Sequence, residues 1–153
     1  MSTTTNGPAE QPGSNIPIPS LPNLRDLGGW PTRGGGSVRR GQVFRSTALH
    51  ALADEDVASF GNLGIRTVYD LRTEAEKAKQ PDRVLDGVDY RELDVVAGGN
   101  PDVLLPVLGV EAKYLEASLD EMRAQYGAIE RYFADGLRID APTRSALRAA
   151  LRE

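Results

Sequence analysis

Cysteine does not occur in the 153 residues, and histidine occurs once, as His50. The first absence removes disulfides, thiolate metal sites and cysteine nucleophiles together. The second removes any multi-histidine metal centre. No metal or other cofactor is expected. Aromatic residues make up only 6% of the chain against 40% hydrophobic residues overall, enough for a modest core. The net charge of −4 is not gathered into a block of one sign. A basic face of the kind that tracks nucleic-acid phosphates is missing, so no nucleic-acid partner is expected. No apolar run approaches the roughly 20 residues of a membrane-spanning helix. No basic segment leads into an apolar one at the N-terminus, so no secretory signal is read there. Together these point to one soluble domain, cytoplasmic in location.

What is present falls into two styles of sequence. Residues 1–20, rich in Ser, Thr, Pro and Gly, offer too little apolar surface to offset ordering entropy and read as a flexible tail. From Leu21 the pattern becomes that of short strands. "NLRDLGGWPTRGGGSVRRGQVFRS" reads as two strands around a turn at Gly34, Gly35 and Gly36. A helix is expected from Asp54 to Leu63, capped by Asp54 and stopped by Gly64. "IRTVYD" and "VDYREL" read as strands, with a helical turn at 74–80 between them closed by Pro81. "VVAGGNPD" reads as a loop. From Glu111 the period turns helical, with Leu115, Leu119, Met122 and Tyr126 on one face. Gly127 and Gly136 break the helical run, and a last helix is expected from near Pro142.

The stretch most suggestive of chemistry is "TVYDLRTEAE" at 67–76. It ends a strand with Asp70 and Arg72 and runs at once into a helix-prone segment. Two readings stay open: a structural pair that caps the next turn, or an acid and a base shown to a ligand at a strand end. Arg45 and Ser46 close another strand and divide in the same way between site and scaffold. Arg25 and Asp26 in "NLRDLGG" read as an ion pair that fixes the tail to the sheet, with Gly28 and Gly29 in the turn. Ser46 and His50 lie four residues apart, but no third group is evident to orient the imidazole. "GGGS" lacks the strand, helix and lysine of a phosphate-binding loop and reads as a turn.

Four of these pieces stand in one order: "NLRDLGG" at 23–29, "VRRGQVFRS" at 38–46, "LGIRTVYDLRTEAE" at 63–76 and "PDRVLDGVDYREL" at 81–93. That series resembles the N-terminal half of the bacterial tyrosine-specific protein phosphatases, the tyrosine/serine and lipid phosphatase-like group. "YLEASLDEMRAQYGAIERYFADGLRID" resembles the end of the same family. The resemblance also implies what should lie between, a strand ending in His-Cys and a loop of the form HCxxGxxRT. Here "VVAGGNPDVLLPVLGVEAKYLEA" passes straight from one part to the other. An internal deletion is expected, with its junction near Pro101 to Pro106.

The family reaction needs a thiolate that attacks phosphorus, and loop amides that hold the phosphoryl oxygens. Neither is supplied here. The resemblance therefore implies an inactive phosphatase-like protein whose pocket rim survives as Arg45, Ser46, Asp70 and Arg72. Asp70 would be a remnant acid, and Asn23, Arg25 and Asp26 structural neighbours of the site. The partner in intact relatives is a phosphorylated protein or phospholipid. The alternative is an anion- or partner-binding module without catalysis. The expected fold is the remnant of a three-layer α/β sandwich with a mostly parallel sheet, followed by C-terminal helices. It is read as one incomplete domain over 21–153, with an α/β part at 21–96 and a helical part at 107–153. Loss of a central strand should leave an open edge unless "IRTVYD" and "VDYREL" pair directly.

Overall fold

The computed structural model describes residues 11–94 and 112–153. The first ten tail residues, the loop "VVAGGNPD", the expected junction at Pro101 to Pro106 and Glu111 lie outside them. Two compact units are distinguished, one of Met1–Val95 with Leu151–Glu153 and one of Val96–Ala150.

The first unit is mixed α/β with two small sheets. Strand β1 (Arg25–Asp26) pairs antiparallel with β2 (Phe44–Arg45), Arg25 opposite Arg45 and Asp26 opposite Phe44. Between them the chain turns through Gly35 and Gly36, as the glycine run suggests. Gly28 matters for a different reason. A Cβ there would lie 2.5 Å from the Arg40 Cα, so only glycine lets the two backbones pass. The same region also takes a contact that local reading did not anticipate. Val38 bridges Arg152, with Ser37 and Glu153 exchanging backbone bonds of 2.9 and 3.0 Å.

The helix expected at 54–63 is shorter and differently held. Residues Asp54–Asp56 form a 3₁₀ turn that leads into α1 (Val57–Gly61). Asp54 does not cap it. Its carboxylate pairs with Arg83 at 2.7 Å. Asp56, buried, instead accepts from the Ser20 backbone N–H at 2.9 Å and from its hydroxyl at 2.6 Å. Long-range partners for these acids outcompeted local capping. Gly64, with φ of 67°, ends the segment in the left-handed conformation.

Strand β3 (Thr67–Asp70), helix α2 (Glu74–Lys79) and strand β4 (Asp89–Glu92) form a βαβ unit. β3 and β4 pair directly and in parallel, Thr67 opposite Asp89 through Asp70 opposite Glu92. A parallel pair needs a crossover long enough to return the chain, and residues 71–88 with α2 supply it. The helix starts at a reciprocal cap. The Glu76 N–H donates to the Thr73 hydroxyl at 3.3 Å, and the Thr73 N–H donates to the Glu76 carboxylate at 2.9 Å. Lys77 pairs with Glu92 at 3.0 Å, tying α2 to β4.

The core of this unit gathers Ile18, Leu21, Leu24, Leu49, Leu52 and Phe60, with Phe44, Val57, Ile65 and Val68 packed against it. Ile18 and Leu21 anchor the N-terminal part of the described chain. Residues 11–20, expected as part of a flexible tail, thus include a buried residue, because an Ile flanked by prolines still carries enough apolar surface to be taken into the core. Arg25 adds to the hold on this segment by donating to the Gly13 carbonyl at 2.7 Å.

The second unit is helical. Helix α3 (Ala112–Tyr126) ends at Gly127, and α4 (Ile129–Arg131) runs on into a π turn at Tyr132–Gly136. Helix α5 (Ala141–Leu151) begins where the Thr143 N–H donates to the Asp140 carboxylate at 2.8 Å. The expected apolar stripe contributes no buried residue of α3, and Leu115 is exposed. The aromatic contacts are local: Tyr126 meets Tyr132 edge-on with ring centres 5.3 Å apart. Among the described residues, no helix is long and apolar enough to cross a membrane.

Candidate functional site

Asp70 is the last residue of β3, and the strand's alternation turns its side chain inward, where it is buried. A carboxylate there must be satisfied. Arg72 does this twice over. Its backbone N–H donates to Asp70 Oδ1 at 3.0 Å, closing an Asx turn. Its guanidinium then folds back, with Nε 2.9 Å from Oδ1 and Nη2 2.7 Å from Oδ2. The Tyr90 hydroxyl from β4 donates to the same Oδ2.

A second acid joins the group. Asp82 Oδ1 lies 2.9 Å from Arg72 Nη2, and its Oδ2 accepts from the Tyr90 hydroxyl at 3.2 Å. Arg72 also donates through Nη1 to the Gln80 carbonyl at 2.9 Å. The loop after α2 is thereby tied to the end of β3. Tyr90, Asp82 and Gln80 were not singled out by sequence reading. The signal available was the parallel pairing itself, which puts Tyr90 beside Val68 and its ring next to the end of β3.

The electrostatics follow from these contacts. The hydrogen-bonded Arg72 guanidinium holds the Asp70 carboxyl well below the usual carboxylate range, against the opposing effect of burial. Arg72 is pushed up in turn, chiefly by its bond to Asp70. Burial, then the bond to Asp70, raises the Tyr90 phenol well above its ordinary value. Asp70 is thus an ionised acceptor near neutral pH, with no proton to give.

An open concavity of about 910 Å³ adjoins this network. Two stretches of chain form its walls, Gly41 to Leu49 and Gly64 to Arg72. It brings together Arg45, Ser46, Asp70 and Arg72, with Asp82 at the same rim. Arg45 is exposed, and among the described residues it has no ion pair. The Ser46 hydroxyl is buried and has no hydrogen-bond partner among them.

Asn23, Arg25 and Asp26 do not line the concavity. Nor do Arg25 and Asp26 form the expected ion pair with each other. Arg25 donates to the Asn23 side-chain oxygen at 2.9 Å, while Asp26 accepts from the N–H groups of Gly28 at 2.8 Å and Gly41 at 2.7 Å. Backbone N–H groups in a tight turn need an acceptor, and the Asp26 carboxylate supplies it. His50 is exposed, and its backbone N–H donates to Asp82 at 3.1 Å. No Ser46–His50 hydrogen bond forms. Among the described residues, no group of histidines and acids is placed to hold a metal ion.

A concavity at the end of a parallel strand, rimmed by arginines and joined to a βαβ unit, is of the class that α/β domains use for anionic ligands. Comparison with known proteins narrows the class. The family profile described as the tyrosine phosphatase family matches residues 16–103 and again 97–153. This chain belongs to the tyrosine phosphatase family, and its sequence contains no HCxxGxxRT. It is also 40% identical over 77 residues to the triple specificity protein phosphatase PtpB of Mycobacterium tuberculosis. That alignment covers 50% of this chain but only 26% of the relative, so the chain spans about a quarter of the length of the protein it matches.

Proposed function

We propose that this chain is a family member without phosphoester hydrolysis, one that keeps the frame of the pocket and lacks the part that reacts. The observation that carries this is the absence of any cysteine from a chain of this family. Phosphoryl transfer to protein needs a nucleophile and a ring of donors around the phosphoryl oxygens. Serine at 46 is no substitute, because no base is hydrogen-bonded to it among the described residues. Asp70, ionised and clamped by Arg72, is poorly suited to protonate a leaving group. On this reading the α/β part over 21–96 and the helical part over 107–153 are the two ends of one incomplete domain. They are the remnant of a three-layer sandwich whose middle is missing, in a bacterial cytoplasmic protein. The ligand class carried over from intact relatives is a phosphorylated protein or phospholipid.

The test is turnover of an aryl phosphate and of a phosphotyrosine peptide by the purified chain. The expected rate equals that of a heat-inactivated sample. Turnover that follows the protein peak through purification overturns the proposal.

A second reading, anion binding without turnover, has one observation in its favour. Arg45 stands exposed at the concavity with no ion pair among the described residues. Arg72, by contrast, is already shared between Asp70 and Asp82. If the concavity holds an anion, millimolar phosphate raises the melting temperature, and Arg45→Ala abolishes the rise. No rise in the parent chain rejects this reading.

A further inference from the structure

A strand's backbone groups alternate between its two edges, just as its side chains alternate between faces. The carbonyls of Arg66, just before β3, and of Asp70, at its end, accept from the N–H groups of Asp89 and Leu93 at 2.9 and 2.8 Å. Residues 66, 68 and 70 therefore direct their backbones at β4, and Thr67, Tyr69 and Leu71 direct theirs at the opposite edge. Among the described residues no strand pairs with that edge. All three residues line the 910 Å³ concavity, and so does the segment that carries β2.

The edge offers a row of backbone N–H and C=O groups with no strand partner among the described residues, and apolar side chains lie beside it. An inorganic anion would answer neither the carbonyls of the edge nor the apolar side chains between the walls. A polypeptide in extended conformation answers both.

We propose that the concavity is a strand-receiving slot, occupied by an extended segment of another protein that pairs with the outer edge of β3. The lining states the segment's chemistry. Phe44, Ile65 and Val68 call for an apolar middle. Arg45 and Arg66, both exposed and without ion pairs among the described residues, call for acidic ends. The proposal stands on the free edge and so holds whether or not the chain proves to turn over phosphoesters. Strand addition of this kind takes its affinity from main-chain bonds and its selectivity from alternate side chains.

The test uses the full chain and a blocked heptapeptide, Glu-Val-Thr-Val-Thr-Val-Glu, as probe. Amide exchange is read by NMR with and without it. Saturating peptide is expected to slow exchange at Tyr69 at least tenfold and at Val68 much less, since Val68 already faces β4. Methylation of the three central peptide nitrogens should weaken binding at least tenfold, and lysines in place of both glutamates should weaken it at low salt. Tyr69→Pro removes an outward N–H that the β3–β4 ladder does not use, and should abolish binding without loss of the melting transition. Should that variant unfold, the methylated peptide decides. Three results overturn the proposal. The first is no protection of Tyr69 at millimolar peptide. The second is equal binding of the methylated peptide, which would mean apolar contact only. The third is full protection of Tyr69 before peptide is added, which would mean that the chain itself, alone or as a second copy, fills the slot.

Discussion

Arg72 satisfies two buried carboxylates at once, and this decides what each residue around it can do. Without its guanidinium, Asp70 and Asp82 would face one another across Tyr90 with no counter-charge. Arg72→Ala is therefore expected to destabilise the fold by about 3–5 kcal/mol, the usual cost of removing one partner from a buried pair. Urea denaturation checks it. Arg72→Lys should recover only part of the loss, because an ammonium cannot bridge both oxygens of Asp70 in a planar fork. The pH dependence has a definite sign. Asp70 has a lower pKa folded than unfolded, so the unfolded chain binds its proton more readily. The stability it contributes is complete above about pH 5. It is lost as pH falls through the unfolded value towards the folded one. Stability measured from pH 6 down to pH 3 should fall, and in Asp70→Asn that part of the slope should disappear. Tyr90 gives the mirror case. Its pKa is raised on folding, so its contribution is present below about pH 10 and fades only in stronger alkali.

Helix α2 is six residues long, too short to persist on propensity alone, and its reciprocal cap between Thr73 and Glu76 offsets that. Thr73→Ala should cost about 1 kcal/mol, read as a lower urea midpoint with unchanged slope. In the turn after β1, Gly29 is set by its φ of 85° and Gly28 by contact. Gly28→Ala would set a methyl against the Arg40 backbone, and backbone cannot step aside as a flexible side chain can. Its cost is expected at about 1–3 kcal/mol by thermal melting. Element boundaries show how far local reading carries. "TVYD", "DYRE" and the helical turn between them were legible from alternation and from Pro81. The Thr-x-x-Glu spacing at 73–76 was equally open to reading as a cap. Asp54 was not, because a residue typical of helix starts can equally serve a distant arginine, here Arg83.

At the scale of the whole fold, apolar burial among the described residues is thin. Six hydrophobic side chains are buried among the described residues, and all belong to the α/β unit. A domain has only about 5–15 kcal/mol of net stability. Phe60, the one aromatic among the six, should therefore be close to indispensable. Phe60→Ala, at a typical cost of about 3–5 kcal/mol, is expected to leave the α/β unit largely unfolded at 37 °C, seen as loss of near-UV circular dichroism. The outer edge of β3, which has no strand partner among the described residues, belongs to this scale too. An unpaired edge beside apolar side chains is a place for another strand or for association, and its charged neighbours Arg66 and Arg72 are the kind of residues that hold association back.

The order of motifs and the missing cysteine were written in the primary structure, because chemical identity and spacing along the chain are local properties. They were enough to give the family and the absent nucleophile. The gathering of Arg45, Ser46, Asp70 and Arg72 around one space required the folded chain, as did the discovery that Asp82 and Tyr90 complete the acid–base network. Asp70, Asp82 and Tyr90 come from separate points of the sequence, and only strand pairing and burial bring them into one hydrogen-bonded group around Arg72.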